Sequence, residues 1–164
     1  MVSGKVVIVV VIVLVAAVFT FRYWPSDERA IRKQLAVIEE AGSKEPAEKS
    51  IEALFKAKQI AVLFSDPCRL TVASANHVGD YPRKQIQDRI LMVRGFYNQA
   101  KVSLHDITIN ITPEKTAVVR GTIRLRGEGA GEKVADVHEL RAEMRPIDGK
   151  WLLTAVEIVE VLER

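Results

Sequence analysis

From Val6 to Phe19 no polar side chain interrupts the chain, and Thr20 and Phe21 extend the run to Arg22. An α-helix rises about 1.5 Å per residue, and about 20 residues cross a hydrocarbon core of about 30 Å. The 16 residues of Val6–Phe21 therefore suffice when Tyr23 and Trp24 sit at the interface and Lys5 and Arg22 snorkel. Three other readings fit less well. A cleavable signal needs a small-x-small site, which Ala16-Ala17-Val18-Phe19-Thr20-Phe21 lacks. A lipid-modified signal needs a cysteine just after the run, and the one cysteine is Cys68. A buried core helix of β-branched residues with no polar face has nowhere to hide in so small a domain. Residues 1–25 are expected to be an uncleaved transmembrane anchor and residues 26–164 one domain.

After Pro25 the period changes. Ser26 or Asp27 can cap a helix carrying Ile31, Leu35, Ile38 and Ala41, with Gly42 at its end. A second helix starts near Pro46 and runs to Ser65-Asp66-Pro67; Ile51, Leu54, Phe55, Ile60 and Leu63 make it apolar over much of its girth, which predicts deep burial. Cys68–Ser74 reads as a short strand and Gly79-Asp80 as a turn; Pro82 opens a third helix with Ile86, Ile90, Val93 and Tyr97 on one face. The last third alternates with period two. Val102 and Leu104 start a strand that Ile107, Ile109 and Ile111 continue one position out of step, a slip that predicts a bulge at His105-Asp106. Ala117–Arg126, Lys133–Arg145 and Lys150–Leu162 follow as strands joined by glycine-bearing turns.

Composition narrows the function classes. One cysteine and three histidines in 164 residues exclude a disulfide framework and Cys/His zinc clusters, so no metal is expected. Setting aside Lys5 and Arg22 reduces the 24 Lys+Arg to 22 against 21 Asp+Glu, a balance of +1 that argues against a nucleic-acid partner. Gly127, Gly129 and Gly131 sit in a hairpin turn, not between a strand and a helix, so no nucleotide cofactor is expected. Basic residues on both flanks leave orientation open by count, since Lys5 lies on one side and Arg22, Arg29, Arg32 and Lys33 on the other. Asp27 and Glu28 offset the second group, and only four residues precede Lys5, so the amino terminus is expected inside and the domain outside the membrane, which would be the periplasm if the source is a Gram-negative bacterium.

The order of two helices, a short strand, a third helix and long strands carries two specific stretches. Tyr81-Pro82-Arg83-Lys84-Gln85-Ile86 opens the third helix, and Asp148-Gly149-Lys150-Trp151 leads into the closing strand. Over roughly residues 27 to 162 this resembles the nuclear transport factor 2-like superfamily. The resemblance implies an α+β cystatin-like cone: three helices packed on a strongly curved antiparallel sheet, with a pocket at the open end. The superfamily includes dehydratases, ketosteroid isomerases, polyketide cyclases and many members without catalysis, so it constrains function little. It also makes a homodimer through the sheet plausible. A membrane helix directly before such a domain is similar to the bridging subunits of type IV secretion systems, a structural role in an envelope assembly.

Candidate chemistry lies on the second long hairpin, between Ala117–Arg126 and Lys133–Arg145. With its turn centred on Gly129-Ala130, Gly121 faces His138 and leaves open space beside the imidazole, while Arg120 faces Glu139. Asp136 and His138 interrupt an apolar stripe on one face; a carboxylate two residues from an imidazole can fix its tautomer for acid/base work. The expected pocket residues are Gly121, Ile123, Asp136, His138, Leu140 and Tyr97, with Asp136, His138 and His105 as catalytic candidates. Against this stands the plainer reading of a polar rim. The Arg120, Arg124, Arg126, Arg141 and Arg145 stripe reads as a solvated face with cross-strand ion pairs, or as an anion surface. His77 is expected in an exposed connection and Cys68 as a small buried hydrophobe. Both faces of the final strand carry apolar residues, which calls for a bulge or a covering subunit. The expected function is a membrane-tethered binding or scaffolding domain for a small apolar ligand or a protein; the alternative is an isomerase- or dehydratase-type enzyme.

Overall fold

A computed structural model describes residues 26–73 and 77–160, so the expected anchor at residues 1–25 lies outside the described part. Among the described residues no helix is long and apolar enough to cross a membrane. The elements are α1 (Asp27–Gly42), α2 (Ser50–Ala61), β1 (Phe64–Val72), β2 (His77–Tyr81), α3 (Arg83–Phe96), β3 (Gln99–Ile111), β4 (Ala117–Gly129), β5 (Glu132–Ile147) and β6 (Lys150–Glu160).

Ser26 caps α1: its Oγ accepts from the Arg29 backbone N–H at 3.3 Å. The i, i+4 pair Ile31 and Leu35 is buried against Val119, Ala142, Met144, Trp151 and Leu153 of the sheet, the main core. At its other end α1 is sewn to β3, where Glu39 Oε1 accepts from Leu104 N at 2.6 Å and Ser43 Oγ accepts from Val102 N at 3.1 Å. A helix thus closes one face of the sheet through both apolar burial and satisfied strand donors.

The strands form one mixed sheet in the order β2-β1-β6-β5-β4-β3. The all-antiparallel expectation is corrected at one place, since β1 runs parallel to β6. That pairing joins segments separated by α3 and four strands, and no local pattern announces it. Gly79-Asp80 is not a turn: both lie within β2, which pairs antiparallel with β1. Gly79 is needed there because a Cβ would stand 2.9 Å from the Tyr81 ring.

The phase slip in β3 and the two-faced apolar pattern of β6 both arise from bulges. Between the pairs His105–Thr122 and Thr108–Arg120, Asp106 and Ile107 of β3 oppose the single Gly121 of β4, and Asp106 takes a left-handed φ of 54°. In β6, Glu143 pairs with Ala155 but Met144 with Leu153, leaving Thr154 as the extra residue. The inward set changes there from Trp151 and Leu153 to Val156 and Ile158. The bulge thus brings Val156 onto the same inward face as Trp151 and Leu153.

The deep burial expected of α2 is corrected. Ala57, Ile60 and Ala61 are its buried side, whereas Ile51, Leu54 and Phe55 are exposed at 69%, 43% and 62%. Its apolar girth exceeds the one face that α1 and α3 cover. On α3, Ile86 is buried and Ile90 packs beside it as expected, but the next fully buried position, eight residues after Ile86, is Arg94, and Val93 is half exposed.

Candidate functional site

The β4–β5 turn is built on Ala130 and Gly131, with φ of 51° and 84°, and Gly129 pairs with Glu132. Such a two-residue turn needs left-handed backbone at both positions, which favours the glycine. The register is therefore two residues from the expected one. A shift of two keeps every side chain on its face but changes its neighbour. Asp136 and His138 still share the inward face, yet His138 stands opposite Ile123, and Gly121 opposite Leu140.

The expected space beside Gly121 is filled. A Cβ there would lie 2.3 Å from Ile107 Cδ1 and 2.8 Å from the His105 carbonyl oxygen, so the glycine admits the β3 bulge. His105 stands opposite Thr122 on the outer face, with its Nε2 3.0 Å from Ser103 Oγ. It therefore faces away from His138. Asp136 is exposed, opposite Leu125. His138 is half-buried; its Nδ1 is shielded from solvent and has no hydrogen-bond partner. The inward face around it holds Ile123 and Leu140, both half-buried. Tyr97, half-buried just after α3, lies over Gly127 of β4, where a Cβ would stand 2.8 Å from its Cδ1. The candidates other than His105 thus share one wall, but no paired acid and base are assembled on it.

Two clusters were not singled out in the sequence. Arg94, 6% exposed, donates from Nη1 to Ala41 O at 2.6 Å and from Nη2 to Ser43 O at 3.1 Å and Glu48 Oε1 at 2.5 Å, pinning the ends of all three helices. Its signal was an arginine at an apolar-face position eight residues after Ile86. Lys56 approaches the same Glu48 oxygen at 2.9 Å. Burial pushes the Glu48 carboxyl up, but the hydrogen bonds and charges of Lys56 and Arg94 outweigh it and hold the group below its ordinary value. The second cluster is at β2, where His77 is exposed, hydrogen-bonds the buried Tyr81 hydroxyl, and the Arg89 guanidinium stands 4.6 Å over the Tyr81 ring. Cys68 is fully buried beneath it. Burial pushes its thiol up to about 11, with the Asp80 charge adding and the Ser65 hydrogen bond opposing, so it packs as a small hydrophobe. Among the described residues no group of three potential ligands could hold a metal.

No family model matches the chain, and no curated protein does. Solved structures do. The chain is similar to an NTF2-like protein with a cystatin-like fold from Novosphingobium aromaticivorans, at 16% identity and a TM-score of 0.64, covering 92% of this chain and 90% of that one. A putative scytalone dehydratase from the same organism matches at 16% identity and 0.66, covering 83% and 85%. A putative aromatic ring hydroxylase, also from that organism, matches at 14% identity and 0.67, covering 84% and 90%. At such identities the likeness establishes the fold: three helices on a curved six-stranded mixed sheet of the nuclear transport factor 2-like, cystatin-like kind.

Proposed function

We propose that this chain is a membrane-tethered, extracytoplasmic binding domain whose cone takes a small, largely apolar ligand, with His138 as its polar anchor. The observation that carries this reading is the buried, unpartnered Nδ1 of His138 on a face shared with Ile123 and Leu140. Small-molecule sites combine apolar walls with a few placed polar groups. A buried polar atom without a partner costs about 1–3 kcal/mol, which a ligand hydroxyl or carbonyl at that nitrogen removes. The tether rests on the uninterrupted Val6–Phe21 run.

An acid/base enzyme of the isomerase or dehydratase type is the second reading. It is favoured by the shared face of Asp136 and His138, and by the fold likeness to a protein named a putative scytalone dehydratase. Asp136 does not reach the buried nitrogen of His138, which weakens it.

The test follows the ¹⁵N signals of the His138 ring in the full chain while small apolar alcohols and ketones are added. Binding gives a saturable shift at Nδ1; no shift with any of them counts against the site. Turnover of a bound compound that falls by about 10²-fold or more in His138→Gln would favour the enzyme. For the tether, the full chain stays in the membrane pellet after carbonate washing, and Leu14→Arg releases it. Extraction of the unaltered chain by carbonate would remove the anchor from the account.

A further inference from the structure

The outer face of the sheet was expected to pair its charges across strands, and its register does otherwise. Arg120 stands opposite Arg141 instead of Glu139, and Lys101 stands opposite Arg126. Like charges directly opposite destabilise a sheet. Around Arg120 and Arg141 the repulsion has an answer, since Glu157 of β6 stands opposite Arg141. Around Lys101 and Arg126 it has none: the next residue in that row is Ala135.

Those two cations line an open trough of about 610 Å³ across the end of β3, β4 and β5, walled on the far side by the α1–α2 connection. Lys44 of that connection pairs with Ala100 by two backbone hydrogen bonds, so the wall is fixed to the sheet edge. Lys133 lines the trough as well. Two acids are present. Glu128 stands opposite Lys133 without an ion pair between them and accepts at Oε2 from Gln99 Nε2 at 2.9 Å, and Glu45 is exposed on the connecting loop. Lys44 is also engaged, its Nζ donating to the Tyr97 and Arg94 carbonyls. Lys101, Arg126 and Lys133 form no ion pair among the described residues. A like-charge pair with no counter-charge in its own row, beside a concavity where cations outnumber acids, is the pattern of a ligand site.

We infer that this trough binds a phosphate monoester group, bridged between the guanidinium of Arg126 and the ammonium of Lys101, with Lys133 completing the charge. Lys44, Lys101, Arg126 and Lys133 line the trough against Glu45 and Glu128, a surplus of two positive charges, and this matches a group carrying about −1.5 to −2 at neutral pH better than a singly charged carboxylate. Arg126 supplies the planar fork that takes two oxygens at once, and Lys101 a point charge. The group can belong to a lipid headgroup or to a soluble phosphorylated compound; the recognition chemistry is the same. The site is on the opposite face of the sheet from His138 and does not depend on the reading of that residue.

The test is calorimetric titration of the full chain in neutral detergent at low ionic strength, using inorganic phosphate, short-chain phosphatidic acid and short-chain phosphatidylcholine as probes. The first two bind saturably and the third does not. Lys101→Gln with Arg126→Gln weakens binding at least about tenfold, on the scale of one lost charge-assisted hydrogen bond. The double variant loses no stability without phosphate, because it removes a repulsion between exposed residues. Arg145→Gln, at the other end of the same face, changes affinity less than about twofold if position matters more than net charge. Phosphatidic acid about tenfold tighter than phosphate assigns the lipid source, and equal affinity assigns the soluble one. Absence of saturable binding by both phosphate probes, an unweakened double variant, equal binding of phosphatidylcholine, or an Arg145→Gln loss as large as the double variant's each overturns the site.

Discussion

The indole N–H of Trp151 donates to Asp27 Oδ1 across 3.1 Å, tying the start of β6 to the first turn of α1. Trp151 is 5% exposed, so its N–H has no ready access to water in place of this partner. Asp27→Ala leaves a buried donor unpaired, and the expected loss is about 1–3 kcal/mol in urea unfolding. Asp27→Asn keeps an acceptor and recovers most of it. Equal losses in the two variants would show that the hydrogen bond is not what the aspartate contributes.

Glu48 gives the fold an acid-sensitive joint. Burial opposes its charge, but hydrogen bonds from Lys56 and Arg94 hold its carboxyl below the ordinary 4.5, so the folded state binds its proton less readily than the unfolded chain. Its contribution is complete above about 4.5 and is lost as pH falls from there through the folded-state value. Unfolding free energy measured against pH therefore falls less steeply on the acid side in Glu48→Gln. Parallel acid limbs for the variant and the unaltered protein would contradict this.

Gly121 is held to glycine by crowding, since its φ is not in the left-handed region. Because one clash is with the His105 carbonyl and not a flexible side-chain end, Gly121→Ala is expected to cost about 1–3 kcal/mol. Gly95→Ala is the control: nothing lies within 4 Å of a Cβ on that helical glycine, and the change is expected to be neutral or stabilising by about 0.5 kcal/mol. A harmless Gly121→Ala would mean that the β3 bulge does not press on β4.

Patterns that arise within one element were legible in the chain. The phase slip from Val102 and Leu104 to Ile107 and Ile109 located the β3 bulge, and the paired stripes of the last strand signalled the one at Thr154. What depends on a neighbour was not. Two glycine-rich turn centres are compatible with the Gly127–Gly131 stretch, and choosing Gly129-Ala130 over Ala130-Gly131 moved every cross-strand partner by two. The faces survived that shift, which is why Asp136 and His138 were correctly placed together while the space beside Gly121 was not. The exposed Ile51 and Phe55 show the same limit, because an all-round apolar helix does not say how much of it its neighbours cover.

Native mass spectrometry of the full chain released from neutral detergent tests the binding reading most directly. The account predicts that the unaltered protein carries a small-molecule adduct, and that His138→Phe, which keeps an apolar wall but removes the ring nitrogens, emerges at its bare mass. The same adduct on both proteins, or a bare mass for both, would contradict His138 as the anchor of a ligand site.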